Sequence, residues 1–311
     1  MMECTDRHFR YFLRLISRRV LLYTEMISTG ALLYGTHERF LRYDSIERPL
    51  AAQLGGSDPK DLAQSACMVA DYGYDEVNLN VGCPSSRVQK GKIGACLMAV
   101  PERVGDCINA MSDAVDIPVT VKTRIGIDDM DSFEDLHRFV SIVAESGCKT
   151  FIIHARKAIL NGLSPKENRS IPPLHYDRVY QLKQSFPLLN IVLNGGIAQW
   201  RQAEDHLQHV DGVMVGREAY KNPYLLAEVD CRFYADSHPI PERVEILRRY
   251  IPYIQQQMDA GILMSAITRH IIGLYHGQPG SRNWRRELCE LSRKPQLDAK
   301  IILTALADRV V

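Results

Sequence analysis

The chain has 311 residues, a formal net charge of +1 and a hydrophobic fraction of 46%. This composition is typical of a globular protein, and the balanced charge argues against a uniformly basic nucleic-acid binder. The sequence has no run of about eighteen apolar residues, so we expect no membrane-spanning helix. Because the first residues also lack the basic start and apolar run of a secretory signal, we expect a cytoplasmic protein.

The eight cysteines are widely spaced, without a CxxC pair or a neighbouring histidine pattern. This spacing argues against a zinc or iron–sulfur site and against a disulfide framework, so we expect no metal. Residues 231–311 contain twelve Lys or Arg against eight Asp or Glu. The C-terminal part is therefore the better candidate for contact with a polyanion.

Short apolar runs alternate with amphipathic segments over the first 215 residues, which predicts strands separated by helices. A helix over Asp6–Ser17 precedes the first strand. Repeated strand–helix–strand units give parallel strands joined by right-handed crossovers. The predicted strands are Val20–Glu25, Leu50–Leu54, Glu76–Asn80, Val119–Thr123, Phe151–His154, Ile191–Asn194 and Gly212–Val215.

The count of seven strands leaves two architectures open. A closed TIM (β/α)8 barrel has eight strands, and an open doubly wound sheet is the alternative. Because a helix precedes the first predicted strand, either the sheet is open or the sequence begins just after the first strand of a barrel. After residue 230 the pattern is helical, so we expect a barrel domain over 1–232 and a C-terminal helical domain over 233–311. The predicted helices there are Val244–Met258, Leu263–Tyr275, Asn283–Leu291 and Leu297–Ala307.

Polar side chains occupy the C-terminal ends of nearly all the predicted strands. One polar strand end is usually a solvated turn, but several around one barrel mouth indicate a site. They are Gln53, Asn78, Asn80, Cys83, Lys122, Arg124, His154, Arg156, Asn194 and Arg217.

Two consecutive strands end in glycine-containing loops, NGGI at 194–197 and VGRE at 215–218. Glycine lets backbone N–H groups approach an anion closely, and a following helix N-terminus favours negative charge. Arg217 can add a forked contact to phosphate oxygens. Phosphate sites at the loops after the last two strands recur in TIM barrels, although two glycines can also simply form tight turns.

A phosphate site beside Gln53, Lys122 and His154 suits flavin mononucleotide (FMN). Lys122 would stabilise the anionic reduced ring, and Gln53 would bond the polar edge of the ring. The residues alone leave a second possibility open, because Lys122 could be the Schiff-base lysine of an aldolase-type barrel.

Cys83 stands at a strand end and is followed by Pro84. It could be an inert core thiol, a nucleophile with His154 as its base, or a general acid. A typical thiol titrates at about 8.5 and is mostly protonated near neutral pH. The placement at a strand end, followed by Pro84, favours a placed functional group over an inert core thiol.

The motifs together resemble those of the tRNA-dihydrouridine synthases. They are NxNxGCP at 78–84, VQKGKIGACLM at 88–98, VKTRIG at 121–126, HAR at 154–156, NGGI and VGR. Three further stretches, TDRHFRYFLRLIS, LNGLSPKENRSIPPLHY and PGSRNWRR, are similar to the A-type subfamily. The resemblance covers essentially the whole chain.

The resemblance implies a monomeric flavin enzyme with a TIM barrel and a C-terminal helical domain. It implies that NADPH reduces FMN, that reduced FMN gives hydride to C6 of uridines 20 and 20a in the tRNA D-loop, and that Cys83 protonates C5. The implied FMN contacts are Met1, Met2, Gln53, Lys122, His154, Asn194, Gly195, Gly196, Gly216 and Arg217. The implied tRNA contacts are Asn80, Lys166, Arg169, Arg282 and Arg285.

Two features of the sequence bear on these expectations. Arg282, Arg285 and Arg286 surround Trp284 in the sequence, a mixture suited to phosphates and bases. The family begins with a strand that ends in Ala-Pro-Met, whereas this sequence starts inside that motif. We therefore expect a truncated first barrel strand, two unpaired sheet edges, and low stability or weak FMN binding.

Three other functions remain open at this point. They are a flavoenzyme for free pyrimidines or related enones, a lyase that uses Lys122 without flavin, and a non-catalytic RNA-binding protein.

Overall fold

In the computed structural model, which describes residues 1–294 and 298–309, seven strands form one sheet in sequence order. Neighbouring strands from β2 to β7 pair in parallel. A doubly wound sheet reverses its strand order at a switch point, and this sheet does not. The winding is therefore that of a TIM-type barrel. The strands are β1 Leu22–Ser28, β2 Leu50–Gly55, β3 Glu76–Val81, β4 Val119–Arg124, β5 Thr150–His154, β6 Asn190–Asn194 and β7 Gly212–Met214.

Helices alternate with the strands and continue after them. They are α1 Arg7–Ile16, α2 Thr29–Leu33, α3 His37–Leu41, α4 Pro59–Asp71, α5 Ser86–Lys90, α6 Pro101–Ala114, α7 Phe133–Glu145, α8 Tyr176–Ser185, α9 Trp200–Leu207, α10 Arg217–Lys221, α11 Val229–Tyr234, α12 Arg243–Asp259, α13 Met264–Thr268 and α14 Ser281–Leu291. Short 3-10 helices include Gly94–Ala99, Glu167–Arg169 and Ala299–Arg309. None of the helices in the described ranges is long and apolar enough to cross a membrane.

The chain forms two compact units. The barrel unit consists of Tyr23–Arg42 and Leu50–Gly216, and the helical unit consists of Met1–Leu22, Tyr43–Pro49 and the residues from Arg217 on. The predicted C-terminal helical part is present, although two of its helices differ. The predicted helix over 263–275 is limited to α13, since Gly273 disfavours helix and packs against the Lys221 backbone. The predicted helix start at Leu297 lies outside the described residues.

Helix caps in the barrel unit follow the sequence signals. The Asp58 side chain accepts hydrogen bonds from the backbone N–H groups of Lys60 and Asp61 at the start of α4, and Pro59 occupies the first turn. At the start of α7, Ser132 and Asp135 form a reciprocal capping box. These bonds satisfy N–H groups that a helix cannot pair internally.

Strand β3 is buried along its whole length, although every second residue is polar. Val77, Leu79 and Val81 point to one face, and Glu76, Asn78 and Asn80 point to the other, because side chains alternate along a strand. Buried polar groups are costly without hydrogen-bond partners. The polar face must therefore be paired with polar groups from neighbouring strands.

The helical unit buries several charged groups and pairs them. In α1, Arg10 bonds Glu47 at 2.6 Å, and Arg14 donates to backbone carbonyls. Asp230 accepts from the hydroxyl of Ser17 at 2.5 Å and from the backbone N–H of Arg18 at 2.6 Å. These pairs compensate the cost of burying the charges.

Candidate active site

Three side-chain amides at the ends of β2 and β3, those of Gln53, Asn78 and Asn80, form a connected hydrogen-bond chain. The Gln53 Nε2 donates to Asn78 Oδ1 at 2.9 Å, and Asn80 Nδ2 donates to Gln53 Oε1 at 2.8 Å. Asn80 Oδ1 accepts from the backbone N–H groups of Gly82 at 3.1 Å and Cys83 at 2.9 Å. Asn80 therefore bonds both the backbone of Cys83 and the side chain of Gln53.

The chain continues below Asn78 to a buried carboxylate. Asn78 Nδ2 donates to Thr120 Oγ1 at 2.8 Å, and Thr120 Oγ1 donates to Glu76 Oε1 at 2.7 Å. The Tyr23 hydroxyl donates to the same Glu76 oxygen, also at 2.7 Å. Burial raises the pKa of Glu76, while these two bonds lower it. Burial and the neighbouring Glu76 raise the pKa of Tyr23 well above its usual value.

The segment after Cys83 folds back onto it. Ala95 N–H donates to the Cys83 carbonyl at 3.0 Å. Gly94 has a φ of +74°, and a Cβ there would lie 2.6 Å from that same carbonyl oxygen. Only glycine fits such a close approach at positive φ. Gln89 Nε2 ties the loop to the carbonyls of Pro84 and Leu160, both at 2.9 Å. The thiol of Cys83 is partly buried.

Lys122 lies opposite Asn80 on the adjacent strand β4. Its ammonium donates to Asn194 Oδ1 at 3.2 Å, and Asn194 Nδ2 donates to the Met214 carbonyl at 2.7 Å. Burial and, to a lesser extent, the charge of Arg124 lower the pKa of Lys122 to about 8, against a raising effect of a Cys83 thiolate. Lys122 and Cys83 thus lie close enough to interact electrostatically.

Arg124 bonds two loops at the ends of the strands, the turn after β3 and the long loop at 155–175. Its side chain is buried and donates to the carbonyls of Gly82 at 2.9 Å, Lys157 at 3.0 Å and Asn168 at 3.0 Å. Burial lowers its pKa to about 10. The sequence placed Arg124 at a strand end but assigned it no role, because its acceptors are backbone carbonyls that leave no sequence signal.

The loop NGGI packs tightly against its neighbours. Gly195 and Gly196 have φ angles of +123° and +74°, and a Cβ on Gly195 would lie 2.9 Å from His154 Cδ2. The Tyr176 hydroxyl donates to the Gly195 carbonyl at 2.8 Å. Both glycines are therefore required by conformation and by space. Gly216 follows β7, the strand paired with β6.

The long loop at 155–175 is organised around Asn168, which is fully buried. Asn168 Oδ1 accepts from the Ile159 N–H at 2.7 Å, and its Nδ2 donates to the Ile159 carbonyl at 2.8 Å. Lys166 and Arg169 lie on either side of Asn168, and the charge of Arg169 acts on Arg124. The two predicted tRNA contacts of this loop are thus held near the strand ends.

The other predicted site residues belong to the helical unit. Met1 and Met2 are exposed, and Arg217 is the first residue of α10. Arg282 and Arg285 are exposed on the first turns of α14. Their part in the site stays a prediction.

Trp284 does not have the position that the sequence suggested. Its side chain is 0% exposed, and its indole N–H donates to the Ile271 carbonyl at 3.4 Å. The expectation that Trp284 contacts a base is therefore wrong. The flanking arginines form an exposed basic surface while the tryptophan, on the opposite face of the same helix, anchors α14.

The surroundings of the Lys122 ammonium show whether the site suits an anionic cofactor. Its hydrogen-bond acceptor is a neutral amide, and the charge of another cation, Arg124, lowers its pKa. A buried ammonium in these surroundings is stabilised by an added negative charge. Gln53 and Asn80 lie at neighbouring strand ends and present amide groups. The donor set fits an anionic ring with a polar edge, such as reduced flavin. In the described ranges, no group of three or more His, Cys, Asp or Glu could hold a metal ion.

Comparison with protein families matches residues 1–309 to the dihydrouridine synthase family. The chain belongs to this family. It is 56% identical over 308 residues to the tRNA-dihydrouridine(20/20a) synthase of Vibrio vulnificus, covering 99% of this chain and 94% of that protein. It is 55% identical over 307 residues to the protein of that name from Escherichia coli (strain K12), covering 98% and 89%.

Family membership makes the chain an oxidoreductase and excludes the lyase alternative. Among solved structures, a putative lyase/mutase from Burkholderia cenocepacia covers 79% of this chain and 87% of its own, with a TM-score of 0.45 and 15% identity. That likeness is too low to carry an argument.

The buried ammonium of Lys122 predicts a pH dependence of stability in the ligand-free protein. Its pKa is about 8 in the folded chain against a usual 10.5, so between these values the unfolded chain binds more protons. The free energy of unfolding therefore gains a contribution as pH rises from 8 to 10.5. Lys122→Met should lack this contribution.

The measurement is denaturant unfolding of both proteins at several pH values. Lys149→Met, which changes an exposed lysine of the same unit, is the control and should follow the parent curve. Parallel curves for the parent protein and Lys122→Met would contradict the electrostatic description of the site.

Proposed function

We propose that the protein reduces uridines 20 and 20a in the D-loop of tRNA to 5,6-dihydrouridine, with FMN as cofactor and NADPH as reductant. The main supporting observation is the placement of Cys83. Its backbone is bonded to Asn80, which bonds Gln53, and Lys122 lies opposite Asn80 on the adjacent strand. A proton donor and a flavin-type donor set therefore share one group of strand ends.

FMN would be held by residues of the barrel unit at these strand ends. Lys122 would stabilise the pyrimidine end of the ring, and Gln53 would bond its edge. An amide NH2 has two hydrogens, and the bond from Gln53 to Asn78 uses one. His154, Asn194, Gly195, Gly196 and Gly216 would bind the remainder, while Met1, Met2 and Arg217, which belong to the helical unit, stay predicted FMN contacts. Bound FMN, once reduced by NADPH, supplies hydride to C6 of the uracil.

Cys83 would complete the reaction by donating its Sγ–H proton to C5 of the uracil. Hydride and proton together saturate the C5–C6 bond, and the thiolate left on Cys83 is reprotonated from water. Lys122 and Arg124, whose charges interact with Cys83, would stabilise the thiolate at the moment of transfer.

Asn80 would orient the uracil. Its Oδ1 already accepts two backbone N–H groups, and one hydrogen of its Nδ2 is donated to Gln53. One Nδ2 hydrogen remains, so Asn80 would donate to a uracil carbonyl rather than accept from the ring N–H. The uridine would first have to leave the folded tRNA, as enzymes acting on bases require.

Four basic residues would bind the tRNA backbone. Lys166 and Arg169 flank the buried Asn168 in the barrel unit, and Arg282 and Arg285 are exposed on α14. Phosphate contacts from Lys and Arg provide affinity and position without reading sequence. A flavoenzyme for free pyrimidines would not need these residues, which distinguishes the two candidate functions.

Replacement of the thiol gives a direct test. Cys83→Ala should keep FMN and its bleaching by NADPH, because the thiol takes no part in reducing the flavin. Dihydrouridine formation in tRNA should fall by on the order of a hundredfold or more, the usual range for a general acid. Both reactions are followed in stopped-flow absorbance and by mass spectrometry of the tRNA.

Cys231→Ala is the matched control, since Cys231 is an exposed thiol of the other unit. It should behave as the parent protein in both assays. A Cys83→Ala protein that modifies tRNA at the parental rate would show that Cys83 is not the proton donor.

The basic surface of α14 predicts salt-dependent tRNA binding. Arg282→Ala combined with Arg285→Ala should weaken tRNA binding and reduce the slope of log affinity against log salt by roughly one for each lost phosphate contact. Bleaching of the flavin by NADPH should not change. Arg201→Ala, an exposed arginine on α9, is the control, and an equal loss in that variant would make the effect one of net charge only.

A further inference from the structure

The hydrogen bonds below the candidate site run in a single direction. Starting at the Cys83 N–H, each donor points toward the next acceptor: Asn80 Oδ1, Gln53 Oε1, Asn78 Oδ1, Thr120 Oγ1 and finally Glu76 Oε1. The five distances lie between 2.7 and 2.9 Å. We refer to this series as the amide relay.

The two ends of the amide relay fix its direction. At one end, Asn80 must offer an oxygen, because it faces two backbone N–H groups. At the other end, Glu76 offers carboxylate oxygen to the Thr120 hydroxyl. An amide turned by 180° in between would place donor against donor and acceptor against acceptor. The orientation of Gln53 therefore depends on groups at both ends.

Strand register explains why these side chains meet. Gln53 is paired with Asn78, and Asn78 is paired with Thr120, across three neighbouring parallel strands. Glu76 lies two residues before Asn78 and points to the same face. Asn78 and Thr120 lie level with Gln53 in this register, Glu76 lies further from the strand ends, and all three side chains are buried. Their hydrogen bonds connect them to Gln53 and, through it, to Asn80.

We propose that Glu76, Thr120 and Asn78 are positioning residues that set which polar atom Gln53 and Asn80 present at the active site. This inference rests on the proposed function, since Gln53 faces the flavin edge and Asn80 faces the uracil in that proposal. Turning Gln53 would replace its free N–H by an oxygen and repel a flavin carbonyl. Turning Asn80 would release the backbone of Cys83.

Thr120 offers the cleanest way to interrupt the amide relay. Thr120→Val keeps the shape of the side chain and removes the hydroxyl, so Asn78 loses its acceptor and Glu76 loses a donor. Thr120→Ser restores the hydroxyl without the methyl group. Tyr23→Phe is the matched control, because it removes an equally short bond, 2.7 Å, to the same Glu76 oxygen but lies outside the relay.

The experiment measures four quantities on flavin-loaded Thr120→Val, Thr120→Ser and Tyr23→Phe. They are the Kd for FMN, the rate of flavin bleaching by NADPH, and the kcat and KM for dihydrouridine formation in tRNA. Thr120→Val should weaken FMN binding or lower kcat by on the order of tenfold or more, the scale of misplaced active-site groups. Thr120→Ser should recover most of the loss, and Tyr23→Phe should stay within about threefold of the parent.

A second readout does not depend on activity. In uniformly 15N-labelled, flavin-free protein, the side-chain amide signals of Gln53 and Asn80 should shift in Thr120→Val. The backbone N–H of Cys83 should also exchange faster with solvent. Both should remain at parental values in Tyr23→Phe.

Two results would overturn the inference. One is an equal loss in Thr120→Val and Tyr23→Phe, which would make the effect a general cost of an unpaired Glu76. The other is unchanged Gln53 and Asn80 signals in Thr120→Val. If the parent protein forms no dihydrouridine, the proposed function fails, while the amide signals still decide whether the relay orients Gln53 and Asn80.

Discussion

The bond from the Cys83 N–H to Asn80 Oδ1 is the interaction on which the candidate site depends. It fixes the backbone beneath the thiol that we propose as the proton donor. The bond is possible because Asn80 is the last polar residue on the interior face of β3 and the chain turns directly after it. Arg124 supports the same turn from β4 by donating to the Gly82 carbonyl. Two strands therefore hold one short segment from opposite sides, a rigid placement of the kind that general acid catalysis requires.

Charge at the strand ends is the second constraint. Lys122 and Arg124 lie two residues apart on strand β4, and burial lowers the pKa of both. The folded protein tolerates this cost because Lys122 bonds Asn194 and Arg124 bonds three carbonyls. A bound anionic ligand would further reduce the free-energy cost of burying these two positive charges. Stability and cofactor binding are thus coupled through the same two cations, and strong binding at this site would offset the burial of positive charge.

Much of this arrangement follows from the sequence. All seven strands were predicted, because buried parallel strands are short apolar runs, and their order in the sheet follows from the repeated crossovers. Gln53, Cys83, Lys122 and Asn194 could be placed at strand ends for the same reason.

The amide relay was missed, although polar residues at 76, 78 and 80 give a period-2 signal within a buried strand. Its partner Thr120 depends on register between strands, which a single sequence does not give. The burial of Trp284 could not be predicted from the sequence either, because packing within the helical unit decides which face of α14 is buried.

The central claim is that the reduced flavin of this protein passes its hydride to uridine in tRNA. The most direct measurement reduces the FMN-loaded protein with one equivalent of NADPH without oxygen and then adds tRNA that lacks dihydrouridine. The account predicts that the flavin absorbance returns, that free uridine does not restore it, and that dihydrouridine is found at positions 20 and 20a. A flavin that stays reduced in the presence of tRNA, or that is reoxidised equally well by free uridine, would contradict it.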